Sequence, residues 1–167
     1  MKTIKTISLA FSLLLSTFAF GQKLGHINSN KLLQSMPENS EIEAKIHEYA
    51  KELEDQLGSM TKEYQTKIQE YQAKESSMSE SVKQDKITEI TNLEDRIQSF
   101  QKKAQNDLQK KEDELLKPII DRARDAIEEV AKEGGFTYIF DSGVGALLYQ
   151  KDSQDIMPQV KKKLGIL

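Results

Sequence analysis

Residues 74–81 read KESSMSES, a small polar run between two long stretches that are charged, almost free of glycine and helical in rhythm. Before it, apolar residues fall at Ile42, Ile46, Tyr49, Leu53, Leu57, Met60, Tyr64, Ile68 and Tyr71, which is 29 residues in eight steps, or 3.6 per step. That is the period of a straight α-helix with one narrow apolar stripe. After it, Ile90, Leu93, Ile97, Phe100, Ala104, Leu108, Leu115 and Ile119 form a second stripe of the same kind.

The two stripes mirror one another about the polar run. If the chain reverses between Met78 and Ser79, residue i lies opposite residue 157 minus i, so Tyr64 meets Leu93, Met60 meets Ile97, Leu57 meets Phe100 and Leu53 meets Ala104. Neither stripe is wide enough to need more than one partner, and each supplies the other's. The reading is an antiparallel αα-hairpin with its tip near 76–81 and, at 1.5 Å per residue, an arm of roughly 50 to 60 Å. One pair breaks the mirror, because Ile46 faces Lys111. The lysine stem is expected to cover the isoleucine while its ammonium reaches water.

Further out, Pro118 sits within "LLKPIIDRA", where it removes a backbone donor, so a kink or restart of the returning helix is expected near 118. Beyond it Ile119, Ile120, Ala123, Ala126, Ile127, Val130 and Ala131 widen the apolar face, and Gly134 and Gly135 end the helix as a C-terminal glycine cap. The arm is thereby bounded at 38–133.

The chain ends read differently. "KLGHINSNKLLQSMPE" predicts a strand over 23–28 and a short helix begun by Asn28 or Ser29. "FTYIFDSGVGALLYQ" predicts strands around Phe136 to Phe140 and Ala146 to Tyr149 about a glycine-rich turn. "DIMPQVKKKLG" predicts a last helix capped by Asp155, with Pro158 in its first turn and lysines at its negative end. Segments 22–37 and 134–167 total only 50 residues, below the size at which a core without staples stands alone. The fold class is therefore α+β: a long helical hairpin on a small β-rich body that completes its sheet with copies of itself. Leu24, Ile27, Phe136, Tyr138, Phe140, Ala146 and Leu148 are the apolar residues assigned to that oligomerisation body.

Residues 1–21 carry Lys2 and Lys5, then an apolar run from Ile7 to Phe20, then small residues at Ala19 and Gly21. This is the pattern of a secretory signal peptide cut near Gly21/Gln22, and the run is too short for a membrane span. Any contact of the mature chain with a membrane is expected to be peripheral. There is no cysteine, so disulfides, thiol catalysis and cysteine metal sites are excluded. The mature chain is net −5 and its arm net −8, which argues against nucleic acid as a partner, while the terminal segments are net +3.

Chemistry-bearing motifs are weak. His26 and His47 each lack a second histidine at ligand spacing, and "GVGALL" lacks the third glycine of a dinucleotide loop and runs into a strand. With no nucleophile–base pattern, the expectation is no enzyme, no cofactor and no metal.

The signal peptide, the "KLGHINSNKLLQ" strand, the long charged hairpin and the closing "GGFTYIFDSGVGALLYQKDSQDIMPQVKKKLG" together resemble the Skp/OmpH family of periplasmic chaperones. The likeness covers essentially the whole mature chain; "YIFDSGVGALLY" followed by "DI" is its most specific part. The resemblance implies a periplasmic homotrimer whose three arms enclose a cavity for unfolded outer-membrane proteins, held without ATP; no G-x-x-x-x-G-K-[ST] loop is present. Familiar members have basic arms, whereas this arm is acidic, so apolar contact is expected to carry more of the binding. Apolar residues off the seam, Met78 and Val82 at the tip, are the first candidates to touch a client, followed by Tyr64 and Tyr71 where a thin seam can open. The alternative is an exported coiled-coil spacer or envelope tether, which would have the arms without the chaperone activity.

Overall fold

The computed structural model describes residues 22–145 and 147–166; the expected signal peptide lies outside them. The elements in chain order are β1 (Leu24–Ile27), α1 (Ser29–Ser35), α2 (Pro37–Lys74), a 3-10 turn (Glu75–Ser77), α3 (Glu80–Gly134), β2 (Tyr138–Asp141), β3 (Gln154–Asp155) and α4 (Met157–Leu164). The chain divides into two compact units, one formed by 33–123 and the other by the described residues of 1–32 and 124–167.

The first unit is the antiparallel helical hairpin. Pro37 opens α2 within its first two positions, where its missing N–H has no helical partner to lose. The helix stops at the polar run, and Ser79 helps start the return by accepting hydrogen bonds from Lys83 N–H, through its carbonyl, and Val82 N–H, through its hydroxyl. Every residue of both apolar stripes is buried or half-buried, with Leu93 only 3 % exposed. Cross-helix partners follow the mirror to within a helical turn. Lys67 reaches Glu89, one position short of it, while Lys111 over Tyr49 and Arg122 with Glu38 lie three positions beyond.

Two details of the hairpin differ from expectation. Lys111 is half-buried with its ammonium 5.8 Å from the centre of the Tyr49 ring, so an aromatic face receives the charge that was expected to reach water over Ile46. Pro118 lies inside α3, which runs on through it without a restart. Its ring stands on the exposed side of the helix, while Ile119 beside it is buried.

In the second unit Ile27, Leu32, Ala126, Val130, Ile156 and Val160 form a small buried set. This compact unit takes in α3 from 124 onward, with Ala126 and Val130 buried. The end of α3 is fixed by Gly135 at φ 63°, with Phe136 N–H donating to Ala131 O and Gly135 N–H to Lys132 O. This is the paired bonding of a Schellman cap.

The sheet corrects the sequence expectation. Its order is β2-β1-β3 and both pairs are parallel, so β2 is not one arm of a hairpin. The strand expected over Ala146–Tyr149 does not form across 147–149, which has no regular structure; Ala146 lies outside the described residues. The chain instead turns at Ser142–Gly145, passes to the other side of β1 and pairs there through Gln154 and Asp155. With β1 flanked on both sides, the apolar run at 147–149 has no place beside the central strand.

Candidate functional site

Among the described residues, exposed apolar side chains gather on two surfaces, one on each unit. The first is a face of the sheet. Residues in register across parallel strands point the same way, so Leu24, His26, Tyr138, Phe140 and Asp155 share one face while Gly25, Ile27 and Ile139 share the other. The second face is closed: Ile27 is 2 % exposed, and a Cβ on Gly25 would stand 2.6 Å from Ile139 Cδ1. The first is open. Tyr138 is 55 % and Phe140 42 % exposed, with ring centres 6.2 Å apart. Val144, Leu148 and Tyr149 follow in the next segment, and Leu148 is 94 % exposed.

A set of polar bonds fixes this surface. Asp141, at the end of β2, accepts from the Ser29 hydroxyl, from Ser29 N–H at 3.2 Å and from Gly143 N–H at 2.7 Å. Burial works to raise its carboxyl, but these hydrogen bonds outweigh it and hold Asp141 below its ordinary range. Asn28 caps α1 through a bond from Lys31 N–H, and Asn30 donates to Gly143 O. The turn after β2 is thereby tied to the start of α1. Asp155 accepts from Met157 N–H at 2.8 Å, starting α4 as the sequence suggested, although Ile156 holds the cap position itself.

Lys23 Nζ donates to Gly134 O at 2.7 Å and lies 4.2 Å from the centre of the Phe136 ring. Phe136 is half-buried under it and is part of the unit's own packing. Of the residues assigned to the oligomerisation body, then, Tyr138, Phe140 and Leu148 are open, Ile27 is interior, and Leu24 and Phe136 are between.

The second surface is the turned end of the hairpin. Val82 is 42 % exposed and Met78 half-buried beside the 3-10 turn. Tyr64 and Tyr71 stay half-buried in the seam. Tyr71 donates to Glu75 Oε1 at 3.2 Å, and burial first, then the Glu75 charge, pushes its phenol up. Ile87, 43 % exposed, was not among the sequence candidates. It lies off the stripe, and that apolar offset near the tip was its only signal. Glu89 receives Lys67 from the facing helix and Lys86 at 2.8 Å, and those bonds push it down to about 2. Farther along the seam small residues at Ala50 and Ala104 leave a groove of about 500 Å³ lined by Leu53, Leu57 and Leu108.

Among the described residues no group of three or more His, Cys, Asp or Glu could hold a metal ion, and no helix is long and apolar enough to cross a membrane. The class defined by these features is an α+β protein that pairs a long helical hairpin with a small parallel sheet and presents apolar surface on both. The chain belongs to the OmpH-like outer membrane protein family, whose model matches residues 23–164.

The chaperone protein Skp of Yersinia enterocolitica is 27 % identical over 170 residues, covering 98 % of each chain. That of Photorhabdus luminescens is 28 % identical over 165 residues, covering 95 % of this chain and 93 % of its own. An uncharacterized protein of Aquifex aeolicus is 30 % identical with 93 % of each covered. The fold matches a crystal structure described as an OmpH-like outer membrane chaperone from Caulobacter crescentus, with TM-score 0.70, 12 % identity and coverage of 86 % and 84 %.

Proposed function

We propose that this chain is an ATP-independent holdase of the periplasm, exported by a signal peptide cut near Gly21/Gln22. It assembles as a homotrimer through the sheet-bearing unit, and its helical hairpins hold unfolded outer-membrane β-barrel proteins in the space between them. The observation that carries the reading is the full-length match to proteins named Skp chaperone, over 98 % of both chains in one case. Two features of the chain support it. Tyr138, Phe140 and Leu148 offer apolar area that a second and third copy would remove from water. Met78, Val82 and Ile87, with Tyr64 and Tyr71 behind them, offer scattered apolar contacts on an otherwise charged arm.

Contacts of that kind are weak singly and hold a chain collectively once it is enclosed, because enclosure raises their effective concentration. Single substitutions on the arm therefore change little. Deleting residues 50–108 and joining the ends by a short turn removes the outer hairpin at facing positions, since Ala50 and Leu108 line the same groove. The shortened protein is expected to assemble as before and to lose the ability to keep an unfolded β-barrel protein from scattering light. Protection that survives the deletion would overturn the hairpin as the holding site. Failure of the intact protein to suppress aggregation at near-stoichiometric ratio would favour a spacer instead.

A further inference from the structure

The two flanks of the hairpin are chemically unlike. A helix turns about 100° per residue, so residues 4, 7, 11 or 18 apart share a face. On one flank Tyr49, Asp107, Lys110, Lys111 and Glu114 come together, and the ion pairs Lys103–Asp107, Lys67–Glu89 and Lys86–Glu89 continue that side toward the tip. The other flank holds the groove between Ala50 and Ala104, about 500 Å³ in volume, with Glu54, Gln101 and Gln105 on its rim. Toward the tip it continues on α3 through Gln98 and Ile87, and on α2 through Thr61, Gln65 and Gln72, which stand 7, 11 and 18 residues beyond Glu54. Over 50–72 and 87–109 the charges on this flank are Glu54 and Glu94, both exposed. Gln98, Gln101 and Gln105 are exposed as well, and their side-chain amides make no hydrogen bond with another described residue. Gln101 and Gln105 stand about 6 Å apart along the helix axis, close to the roughly 6.8 Å at which an extended chain repeats its backbone groups on one side.

We propose that this amide-bearing flank is where the hairpin holds an unfolded outer-membrane protein, as an extended segment whose backbone bonds to Gln98, Gln101 and Gln105 while alternate side chains enter the groove. The inference rests on the holdase reading above and places the main contact in the middle of the arm rather than at its tip. A glutamine amide both donates and accepts, so it serves the N–H and the C=O of any residue and asks for no particular sequence. An unfolded β-barrel segment brings what this flank lacks: unpaired backbone groups, and apolar side chains at every second position. The opposite flank already spends its side chains on one another, and a chain laid there would have to displace those ion pairs. Glu54 and Glu94 are the flank's charges and both are acidic, so neutral and basic segments are held in preference to acidic ones.

The test compares two triple variants of the mature chain in their hold on an outer-membrane β-barrel protein diluted from urea. Gln98→Ala, Gln101→Ala and Gln105→Ala together strip the amide flank, whereas Gln56→Ala, Asn92→Ala and Ser99→Ala together strip exposed polar groups from the charged one. The first is expected to weaken binding by about tenfold, with helical circular dichroism unchanged, and the second to bind as the wild type does. Equal affinity for both variants overturns the proposal. A second readout does not depend on removing the amides. Since the chain has no cysteine, Gln101→Cys and Ser99→Cys each carry a single thiol, one per flank. Bound β-barrel protein is expected to shield the thiol at 101 from alkylation and to leave the one at 99 reactive. Equal shielding of the two, or shielding at 99 alone, overturns the proposal while leaving the holdase reading intact. Failure of the wild-type protein to bind the unfolded protein overturns that reading, and this inference with it.

Discussion

The hairpin and the sheet-bearing unit face the same problem, how to bury apolar area with few residues, and within a single chain the second leaves more of it open. In the hairpin each stripe covers the other, so all seventeen stripe positions are buried or half-buried. In the sheet-bearing unit one face closes over Ile27 while the other leaves Tyr138 and Phe140 open. A helix satisfies its own backbone and needs a neighbour only for its side chains, whereas a sheet needs neighbours for both. A unit of this size therefore has most to gain from other copies, and the hairpin has least.

Substitutions can break that contrast. The largest effect is expected from Ile156→Asp. Ile156 is fully buried in the small terminal core, and a carboxylate there has no partner, so the unit should lose its fold and with it assembly. Most of the helical circular dichroism should survive, because α2 and much of α3 belong to the other unit. Loss of the whole helical signal would mean that the two units stand or fall together.

Leu93→Ala should act on the other side of the contrast. At 3 % exposed it is among the few fully covered residues of the seam, and its truncation is expected to cost roughly 2 to 5 kcal/mol. Thermal melts followed by helical dichroism should shift down, while the subunit count at room temperature stays the same.

The smallest effect concerns the clasp between the helices. Glu89 is pushed down to about 2, first by Lys67 and then by Lys86, against an ordinary value of about 4.3. A carboxyl depressed by folding contributes stability above its unfolded pKa and loses it as the pH falls toward the folded one. The hairpin should therefore melt at slightly lower temperature between about pH 4.3 and about pH 2. Glu89→Gln should flatten that part of the response. Because the pair is only partly buried, added salt should shrink the difference.

Legibility in the sequence follows the same division. The hairpin could be read because its signal is local and repeated: Tyr64, Met60 and Leu57 announce their face at every turn, and the polar run at 74–81 shows where the mirror lies. What the sequence misplaced there was individual, as with Lys111, whose ammonium found the Tyr49 ring. The sheet was read in part. Leu24–Ile27 and Tyr138–Asp141 are strands close to where composition put them.

The third strand is Gln154–Asp155, two polar residues with no strand signature, held by the backbone of β1. The apolar run at 147–149 had that signature and stayed irregular, while β1 carries β2 on one edge and β3 on the other. Of the candidate surface residues, Val82, Tyr138, Phe140 and Leu148 are open, while Met78, Tyr64 and Tyr71 are partly covered. Ile87 and Val144 were missed since exposure of a lone apolar residue leaves little mark on a sequence.

The most direct test of an incomplete sheet shared among copies is the mass of residues 22–167 in solution, taken by light scattering on a sizing column at micromolar concentration. Three times the subunit mass is expected, falling to one when Tyr138 and Phe140 are both changed to serine. A folded single subunit with its open aromatic face in water would contradict it.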